Sequence, residues 1–298
     1  MAQAPATPKL KRLALRAAAS LAPSLAERLS PAPSEQAALA LRAAARGRPR
    51  PRAEKVIFLV PLVGPHHVGD WQAVTERLQQ TVESFRRQDG AWQAVICCQE
   101  RPPLPDDPRI SWLPFDDPTP GNDKWRKLAA LCDHLAAESR GPAYVMSFDA
   151  DDLLRDGTVS EMLERQEAGY VVETGYVMDH AAGDVALAGP RRLTKALRKP
   201  FWKLCGSCTA LLHDPELPES AAFLREMTAH EHRMFPYLAG LAGRGLSALR
   251  RPSVLYVLNH GENFGARRGR VGFKTRFVQR FPVDPKDWEA ARKEFPEP

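Results

Sequence analysis

The sequence feature that most constrains the fold is a continuous apolar run, Val-Ile-Phe-Leu-Val-Pro-Leu-Val, at residues 56–63. The run is rich in β-branched residues and is far shorter than the roughly 20 apolar residues that cross a bilayer. These properties suit a strand at the centre of a parallel sheet, where both faces are covered. The sequence therefore predicts a buried strand here, around which a folded domain is arranged.

Helix-like and strand-like segments alternate after this strand. In residues 71–85 and 125–135, apolar side chains recur at steps of three and four, which is typical of amphipathic helices. Short apolar strands are predicted at residues 92–98, 110–115 and 143–148. This order predicts an α/β fold with a central, mostly parallel sheet flanked by helices, in which ligands bind at the carboxyl ends of the strands.

Three segments divide the chain: a basic Ala/Pro/Arg-rich extension at residues 1–53, an α/β domain at residues 54–265, and a basic and aromatic extension at residues 266–298. The first holds ten Lys or Arg against two Glu, a balance of +8 that leaves −2 for the rest of the +6 chain. The domain itself therefore gives no support for a nucleic-acid partner.

Seven prolines predict a mostly flexible first extension, although residues 9–29 could form short amphipathic helices that contact an anionic membrane surface. We expect the last extension to pack back on the domain.

The cysteines bear on the compartment and on metal chemistry. An odd count of five, with no apolar secretory leader, favours free thiols in a reducing compartment, so we expect a cytoplasmic protein with peripheral contact at the inner face of the membrane as an option. Cys205-Gly206-Ser207-Cys208 could be half of a zinc site or a redox pair. The other close pair, Cys97-Cys98, lacks the spacing of metal ligands, so buried thiols are the favoured interpretation.

An acidic cluster, Asp149-Ala150-Asp151-Asp152, directly follows the last of the predicted strands. Three carboxylates within four residues repel one another, and a divalent cation offsets that repulsion. Mn²⁺ or Mg²⁺ prefers carboxylate and phosphate oxygens, and the Asp-x-Asp spacing sends two side chains to one side of an extended chain. Helix capping would explain one of these carboxylates but not three. The cluster therefore predicts a metal site that binds a diphosphate.

Several motifs in order along residues 55–265 resemble the family 2 glycosyltransferases and the wider GT-A fold, a Rossmann-like nucleotide-diphospho-sugar domain. Residues 56–61 are similar to the family's first strand, and residues 84–88 to its Ser-apolar-x-x-Gln helix end. Residues 144–153 resemble its apolar strand that runs into the DxD motif. Later, Glu231-His232 and residues 243–263 resemble the family's acidic pair, Gly turn, strand and terminal His/Asn.

The resemblance implies a metal-dependent, hexosyltransferase-like enzyme that uses Mn²⁺ or Mg²⁺. Such an enzyme moves a sugar, with inversion, from a nucleotide-diphosphate donor to a hydroxyl of a glycan or glycolipid acceptor, as in the assembly of surface polysaccharide. Cys98-Gln99-Glu100 stands where the family often carries Asp to recognise the nucleobase, so the base of the donor stays open.

The resemblance and the chemistry together assign roles to individual residues. Glu231 is the candidate catalytic base that takes the proton of the acceptor hydroxyl, with His230, His232 and Glu226 as alternatives. The basic run at 267–270 could close over the diphosphate as a lid. Donor-binding candidates are Pro61, Val63, Gln99, Lys127, Asp149 and Asp151. Metal candidates are Asp149, Asp151 and His260. Candidates on the acceptor side are Trp202, Gly206 and Ser207.

Two other functions fit parts of the sequence. Residues 148–153 are similar to the Asp-x-Asp nucleophile motif of haloacid-dehalogenase-type phosphatases. That motif normally lies on the first strand and is followed by a later Gly-Asp-x-x-x-Asp, which this chain lacks. The second alternative is a catalytically inactive GT-A-like domain that binds a partner glycan or protein through its basic extension.

Overall fold

A computed structural model describes residues 3–21, 23–117, 119, 121–259 and 271–297 of the chain. Its first half contains helices α1 (Lys9–Leu21), α2 (Pro23–Arg28), α3 (Pro33–Ala44), α4 (Trp71–Arg86) and α5 (Lys124–Glu138), with strands β1 (Lys55–Pro61), β2 (Trp92–Cys98), β3 (Ile110–Pro114) and β4 (Ala143–Ser147). Its second half contains strands β5 (Asp152–Leu154), β6 (Gly169–Val171), β7 (Gly175–Asp179), β8 (Asp184–Ala188), β9 (Thr209–His213), β10 (Ser247–Ala248) and β11 (Val254–Leu258), with helices α6 (Thr158–Arg165), α7 (Pro218–Thr228), α8 (Phe235–Leu241), α9 (Val271–Arg280) and α10 (Pro285–Ala291).

The central sheet has seven strands in the order β10-β6-β9-β4-β1-β2-β3. Strands β4, β1, β2 and β3 run parallel, while β9 runs antiparallel to both of its neighbours. Residues 56–60 of β1 are completely buried, as expected for a strand covered by helices on both faces. The prediction of an α/β fold with a mostly parallel central sheet flanked by helices is confirmed.

A second, four-stranded sheet in the order β5-β11-β7-β8 was not predicted from the sequence. Strand β5 pairs antiparallel with β11, β11 runs parallel to β7, and β7 and β8 form an antiparallel pair. Strand β4 ends at Ser147 and β5 begins at Asp152, so the acidic cluster is the connection between the two sheets.

The core beside β1 is built on three aromatic rings. Phe58 of β1 stacks on Phe85 of α4 with ring centroids 4.1 Å apart, and Phe148 meets Phe85 edge-on at 5.1 Å. Offset and edge-to-face aromatic pairs of this kind stabilise a core beyond their burial. Because Phe148 immediately precedes Asp149, this packing also fixes where the acidic cluster begins.

The N-terminal extension is helical, both at residues 9–29, where short helices were an expected option, and in α3, which was not expected. It forms α1, α2 and α3, and α3 packs against α7 and α8. Pro23 and Pro33 lie at the first residues of α2 and α3, where the missing N–H costs no intrahelical hydrogen bond, so these prolines begin helices instead of breaking them. Within the part of the chain that the structure describes, no helix is long and apolar enough to cross a membrane.

The C-terminal extension packs back on the domain as expected. Phe277 of α9 is buried, and Tyr176 of β7 meets the rings of Trp288 and Phe295 at 5.2 and 6.0 Å. Glu294 accepts two hydrogen bonds from the guanidinium of Arg155, at 2.7 and 2.9 Å. The extension therefore covers the second sheet and brings α9 close to the end of β11.

Candidate functional site

The acidic cluster lies at the carboxyl end of β4, at the edge of the sheet where the sequence places it. One oxygen from each of Asp149, Asp151 and Asp152 lies within 4.8 Å of the others. The backbone N–H of Phe148 donates to the carbonyl of Leu59 at 2.9 Å, which extends the β4–β1 pairing up to the first of these carboxylates. Asp149 and Asp151 are partly exposed, whereas Asp152 is buried. The cluster is therefore a compact group of carboxylate oxygens in which solvent reaches Asp149 and Asp151 but not Asp152.

Asp152 is the most constrained member. Its Oδ2 accepts hydrogen bonds from Ser207 Oγ at 2.6 Å and Cys205 Sγ at 3.0 Å. Its Oδ1 is buried without a hydrogen-bond partner among the described residues. Burial, and then the charges of Asp151 and Asp149, raise the pKa of the Asp152 carboxyl well above its usual value. A divalent cation fits here, because it would supply the partner that Oδ1 lacks and offset the repulsion between the three carboxylates.

Helix capping does not account for the cluster. The next helix, α6, begins at Thr158, and its first N–H groups are held by another residue. Gln88 Oε1 accepts from the backbone N–H of Thr158 at 3.0 Å and of Val159 at 3.2 Å. The three aspartates therefore have no part in beginning this helix, although they do form a turn in which the Asp152 N–H donates to the Asp149 carbonyl at 3.2 Å.

Gly206 and Ser207, expected on the acceptor side, lie directly against the cluster. The Ser207 hydroxyl accepts from the backbone N–H of Asp149 at 2.8 Å and donates to Asp152, so it connects two of the aspartates. A Cβ atom at Gly206 would lie 3.3 Å from Asp149 Oδ2, so glycine keeps that face of the carboxylate open. Trp202 lies four residues before Gly206, in the short 3-10 helix Phe201–Lys203, and is half-buried.

Three cationic side chains lie around the aspartates. Lys124 at the start of α5 forms an ion pair with Asp149 at 2.5 Å. Burial lowers the pKa of Arg77 of α4, and the negative charge of Asp151 opposes this. Lys274 of α9 contacts the Tyr256 hydroxyl, and burial lowers the pKa of its ammonium while the nearby carboxylates oppose this. Lys274 was not predicted as a site residue, because only the folded chain brings α9 to this edge.

A second polar group lies at the ends of β1 and β2. Lys127 is fully buried, and its ammonium donates to the Leu62 carbonyl at 2.5 Å and pairs with Asp123 Oδ2 at 2.8 Å. Gln99 Nε2 donates to the same oxygen of Asp123 at 2.7 Å. A Cβ atom at Gly64 would lie 2.4 Å from Gln99 Oε1, so glycine is required for Gln99 to approach the backbone.

The candidates of this second group do come together. Pro61 ends β1, and the Val63 carbonyl accepts from Cys98 Sγ at 3.7 Å, so both border Gln99 and Lys127. Because the Lys127 ammonium is held by a carbonyl and a carboxylate, this residue positions the group. Asp123 is central here and was missed, although its i,i+4 spacing to Lys127 was a signal that the pair could meet.

The candidate base Glu231 and its alternatives lie within residues 226–232, and each has different contacts. Glu231 lies half-exposed before the short 3-10 helix His232–Met234 and pairs with Arg233 at 3.6 Å. The Nε2 of His230 forms a hydrogen bond with Ser34 Oγ of α3 at 2.7 Å. Burial and the charges of Lys124 and then Arg233 lower the pKa of His232 to about 3, so its imidazole is neutral near Lys124. Glu226, the remaining alternative, lies on α7 and pairs with Arg225 at 3.7 Å.

Two further candidates cannot be placed. His260 and the basic run at 267–270 lie outside the described residues. The last described residue before them, Asn259, donates to Asp179 Oδ2 at 2.8 Å. The cysteines, by contrast, are all placed: the five thiols are free and buried, in agreement with the favoured interpretation.

No protein-family model matches this chain, and no curated protein matches it in sequence. The fold and the site therefore define its class. It is an α/β protein with a mostly parallel central sheet and three aspartates at the sheet's carboxyl edge that could bind a metal ion.

Proposed function

We propose that this chain is a metal-dependent glycosyltransferase of the GT-A type, which moves a sugar from a nucleotide-diphosphate donor to an acceptor hydroxyl with inversion. The observation that carries the proposal is the buried, incompletely hydrogen-bonded Asp152 beside two further carboxylates at the end of β4. Hard oxygen ligands in this number suit Mn²⁺ or Mg²⁺, which bind one or two carboxylates together with substrate phosphates.

The two polar groups of the site are adjacent, and this supports a ligand with two chemically different ends. Asp123 belongs to the group with Gln99, whereas the next residue, Lys124, pairs with Asp149 of the acidic cluster. Consecutive Cα atoms lie only about 3.8 Å apart. A nucleoside over Gln99 and Asp123 would therefore extend its phosphates toward Lys124 and the aspartates.

Each group then has a distinct role. Gln99 and Asp123 carry the hydrogen-bonding atoms that suit a nucleobase edge or a ribose. Asp149, Asp151 and Asp152 would hold the metal, which when bound offsets negative charge on the leaving diphosphate. Lys124 pairs with Asp149, and Lys274 interacts electrostatically with all three aspartates, so both ammonium groups are candidates to contact phosphate oxygens.

The acceptor would approach from the segments around Trp202 and Glu231. The two short 3-10 helices there are joined by Arg233 Nε, which donates to the Lys203 carbonyl at 3.3 Å. The half-buried ring of Trp202 offers an apolar face to a glycan or glycolipid acceptor of surface polysaccharide assembly. Glu231 is the proposed base for the acceptor hydroxyl, and the neutral imidazole of His232 is its nearest alternative.

A thermal-shift screen of the full chain tests the donor site. UDP-, GDP- and dTDP-sugars are each added with and without Mn²⁺, with CMP-sugars as a single-phosphate control. We expect the melting temperature to rise only when Mn²⁺ and one class of nucleotide are both present, because a ligand of the folded state stabilises it. Asp151→Asn and Lys274→Met should each remove the shift while the unliganded protein melts as before, and Asp106→Asn at an exposed site should keep it.

Transfer activity with the identified donor then separates the remaining alternatives. Glu231→Gln should keep the thermal shift and lower the turnover by about a hundredfold or more, as removal of a general base does. Hydrolysis of p-nitrophenyl phosphate without any nucleotide sugar would support the phosphatase instead. A metal-dependent shift without any detectable transfer or donor hydrolysis would indicate an inactive binding domain.

A further inference from the structure

Helix α1 has an apolar face on each side. Leu15 and Ala19 face the protein and are buried. On the other side, Leu10, Leu13 and Leu21 are 82%, 65% and 86% exposed. Steps of three and eleven residues from Leu10 return to nearly the same side of an α-helix, so these three side chains share one outward face. Continuous exposed leucine on a helix indicates an interaction surface.

This orientation of α1 is fixed by its inward contacts. Arg12 Nε donates to the Thr7 carbonyl at 2.6 Å, and the Arg12 guanidinium lies 5.5 Å from the centre of the Tyr237 ring of α8. The helix also packs against α2. The outward leucines are therefore held at the surface by a folded arrangement, and they cannot turn inward without breaking these contacts.

Two more exposed leucines lie in α2 and directly after it, and basic side chains lie nearby in the sequence. Leu25 and Leu29 are also exposed. The nearby cations are Lys9, Lys11, Arg16 and Arg28. Lys11 donates to the Ser30 carbonyl at 2.7 Å, and within the described ranges none of these four cations pairs with a carboxylate. Of the two acidic residues in the extension, Glu35 is buried, which leaves only Glu27 at the surface.

We propose that this leucine face, formed by Leu10, Leu13, Leu21, Leu25 and Leu29, docks on an anionic lipid bilayer. Helix α1 lies in the plane of the interface, its leucines reach the acyl boundary, and the surrounding cations bind the headgroups. A second copy of the chain is a poorer occupant, because the same uncompensated cations on both copies would repel one another. The proposal stands on exposure and charge alone, and it does not depend on glycosyl transfer.

Vesicle co-sedimentation of the full chain tests the proposal. The probes are vesicles of phosphatidylcholine alone and of phosphatidylcholine mixed with phosphatidylglycerol. We expect binding to the anionic vesicles that weakens as salt is added, because the headgroup attraction is screened. The triple variant Leu10→Ser, Leu13→Ser, Leu21→Ser should bind at least about tenfold more weakly, since each leucine loses its transfer into the interface. Circular dichroism should show that it stays folded, because these side chains have no role in the core.

A matched control uses exposed leucines elsewhere. Leu193 and Leu197 are also exposed, and Leu193→Ser with Leu197→Ser should leave vesicle binding unchanged. A variant with Lys9→Gln, Lys11→Gln and Arg16→Gln should lose the preference for anionic lipid.

Three results would overturn the proposal. The first is no binding to either kind of vesicle, and the second is binding that the triple leucine variant retains. The third is a dimer in sedimentation analysis without lipid that the triple variant dissociates, because the face would then be occupied by a second copy. None of these outcomes depends on the thermal shift with nucleotide sugars, so the two proposals fail separately.

Discussion

Two regions of this protein each bury a carboxyl side chain completely, but only one of the two carboxyl groups has hydrogen-bond partners for both of its oxygens. Glu35 of α3 is 0% exposed and has its oxygens fully engaged. Its Oε1 accepts from Thr7 Oγ1 at 2.6 Å and from the Tyr237 hydroxyl at 2.9 Å, while Oε2 accepts from the Ala32 N–H at 2.8 Å. Asp152 is also 0% exposed, but one of its oxygens has no described partner and its neighbours include two more carboxylates.

The difference is consistent with a structural role for Glu35 and with the proposed metal site at Asp152. Buried polar groups that serve only stability are surrounded by donors, because an unpaired one costs free energy. The Glu35 site meets that condition and ties the N-terminal extension to α8. The Asp152 site does not meet it. One unpaired oxygen beside two further carboxylates supports the proposed metal site, because a bound cation would supply the missing partner.

The largest expected effect sharpens the structural side of the comparison. Glu35→Leu leaves two buried donors and one partly buried donor without an acceptor, at roughly 1–3 kcal/mol for each buried one, so we expect a loss of about 4 kcal/mol in the free energy of unfolding. Urea unfolding measures this, and limited proteolysis should cut residues 1–53 faster. Gln36→Leu is the matched control, because Gln36 is the exposed neighbour on the same helix. Equal stability of the two variants would contradict the structural role of Glu35.

A third buried group, His213 of β9, shows how a neutral side chain is accommodated. Burial lowers the pKa of His213 to about 4, and its Nδ1 lies 3.1 Å from Ser220 Oγ. The folded protein therefore binds this proton less readily than the unfolded chain, whose His pKa is about 6.5. The stability due to neutral His213 is complete above about pH 6.5 and is lost as the pH falls toward 4.

We expect this group to contribute about 3 kcal/mol to the acid sensitivity of the protein across that window. His213→Asn, which keeps a donor near Ser220, should flatten the pH dependence of the unfolding free energy between pH 6.5 and 4. His66→Asn, at an exposed position of the short 3-10 helix Pro65–His67, is the control. An unchanged pH dependence in His213→Asn would show that other groups govern acid unfolding.

The first half of the domain and the acidic cluster were predictable because their signals are local. The apolar runs of β1, β2 and β4 and the helical periodicity of α4 and α5 each lie within one short segment. The second sheet was not predictable in the same way. Strands β5, β7, β8 and β11 are only three to five residues long, and β11 pairs with β5 and β7 across about 80 to 100 residues, so short segments carry little signal for this sheet.

The site shows the same division. Asp149 and Asp151 follow a predicted strand, so their position at the sheet edge could be inferred from the sequence. Lys274 reaches them only because the C-terminal extension folds back on the second sheet. Helices α1 and α2 lie within residues 9–29, where short helices were expected as an option, whereas α3 was missed because prolines were taken as helix breakers and Pro33 instead begins a helix.

The smallest change in stability is expected for Asp152→Asn, and it tests whether Asp152 differs from Glu35. Asp152→Asn replaces a buried carboxyl, whose charged form is disfavoured by burial and by Asp151 and Asp149, with a neutral amide whose carbonyl oxygen can still accept from Ser207. We expect the metal-free protein to keep its stability or to gain up to about 1 kcal/mol, because no charge has to be buried there, and to lose most of its stabilisation by Mn²⁺. Urea unfolding with and without Mn²⁺ measures both, with the exposed Asp106→Asn as the control. A loss of several kcal/mol without metal would mean that Asp152 is a structural carboxylate of the same kind as Glu35, and the case for a ligand at this edge would fail with it.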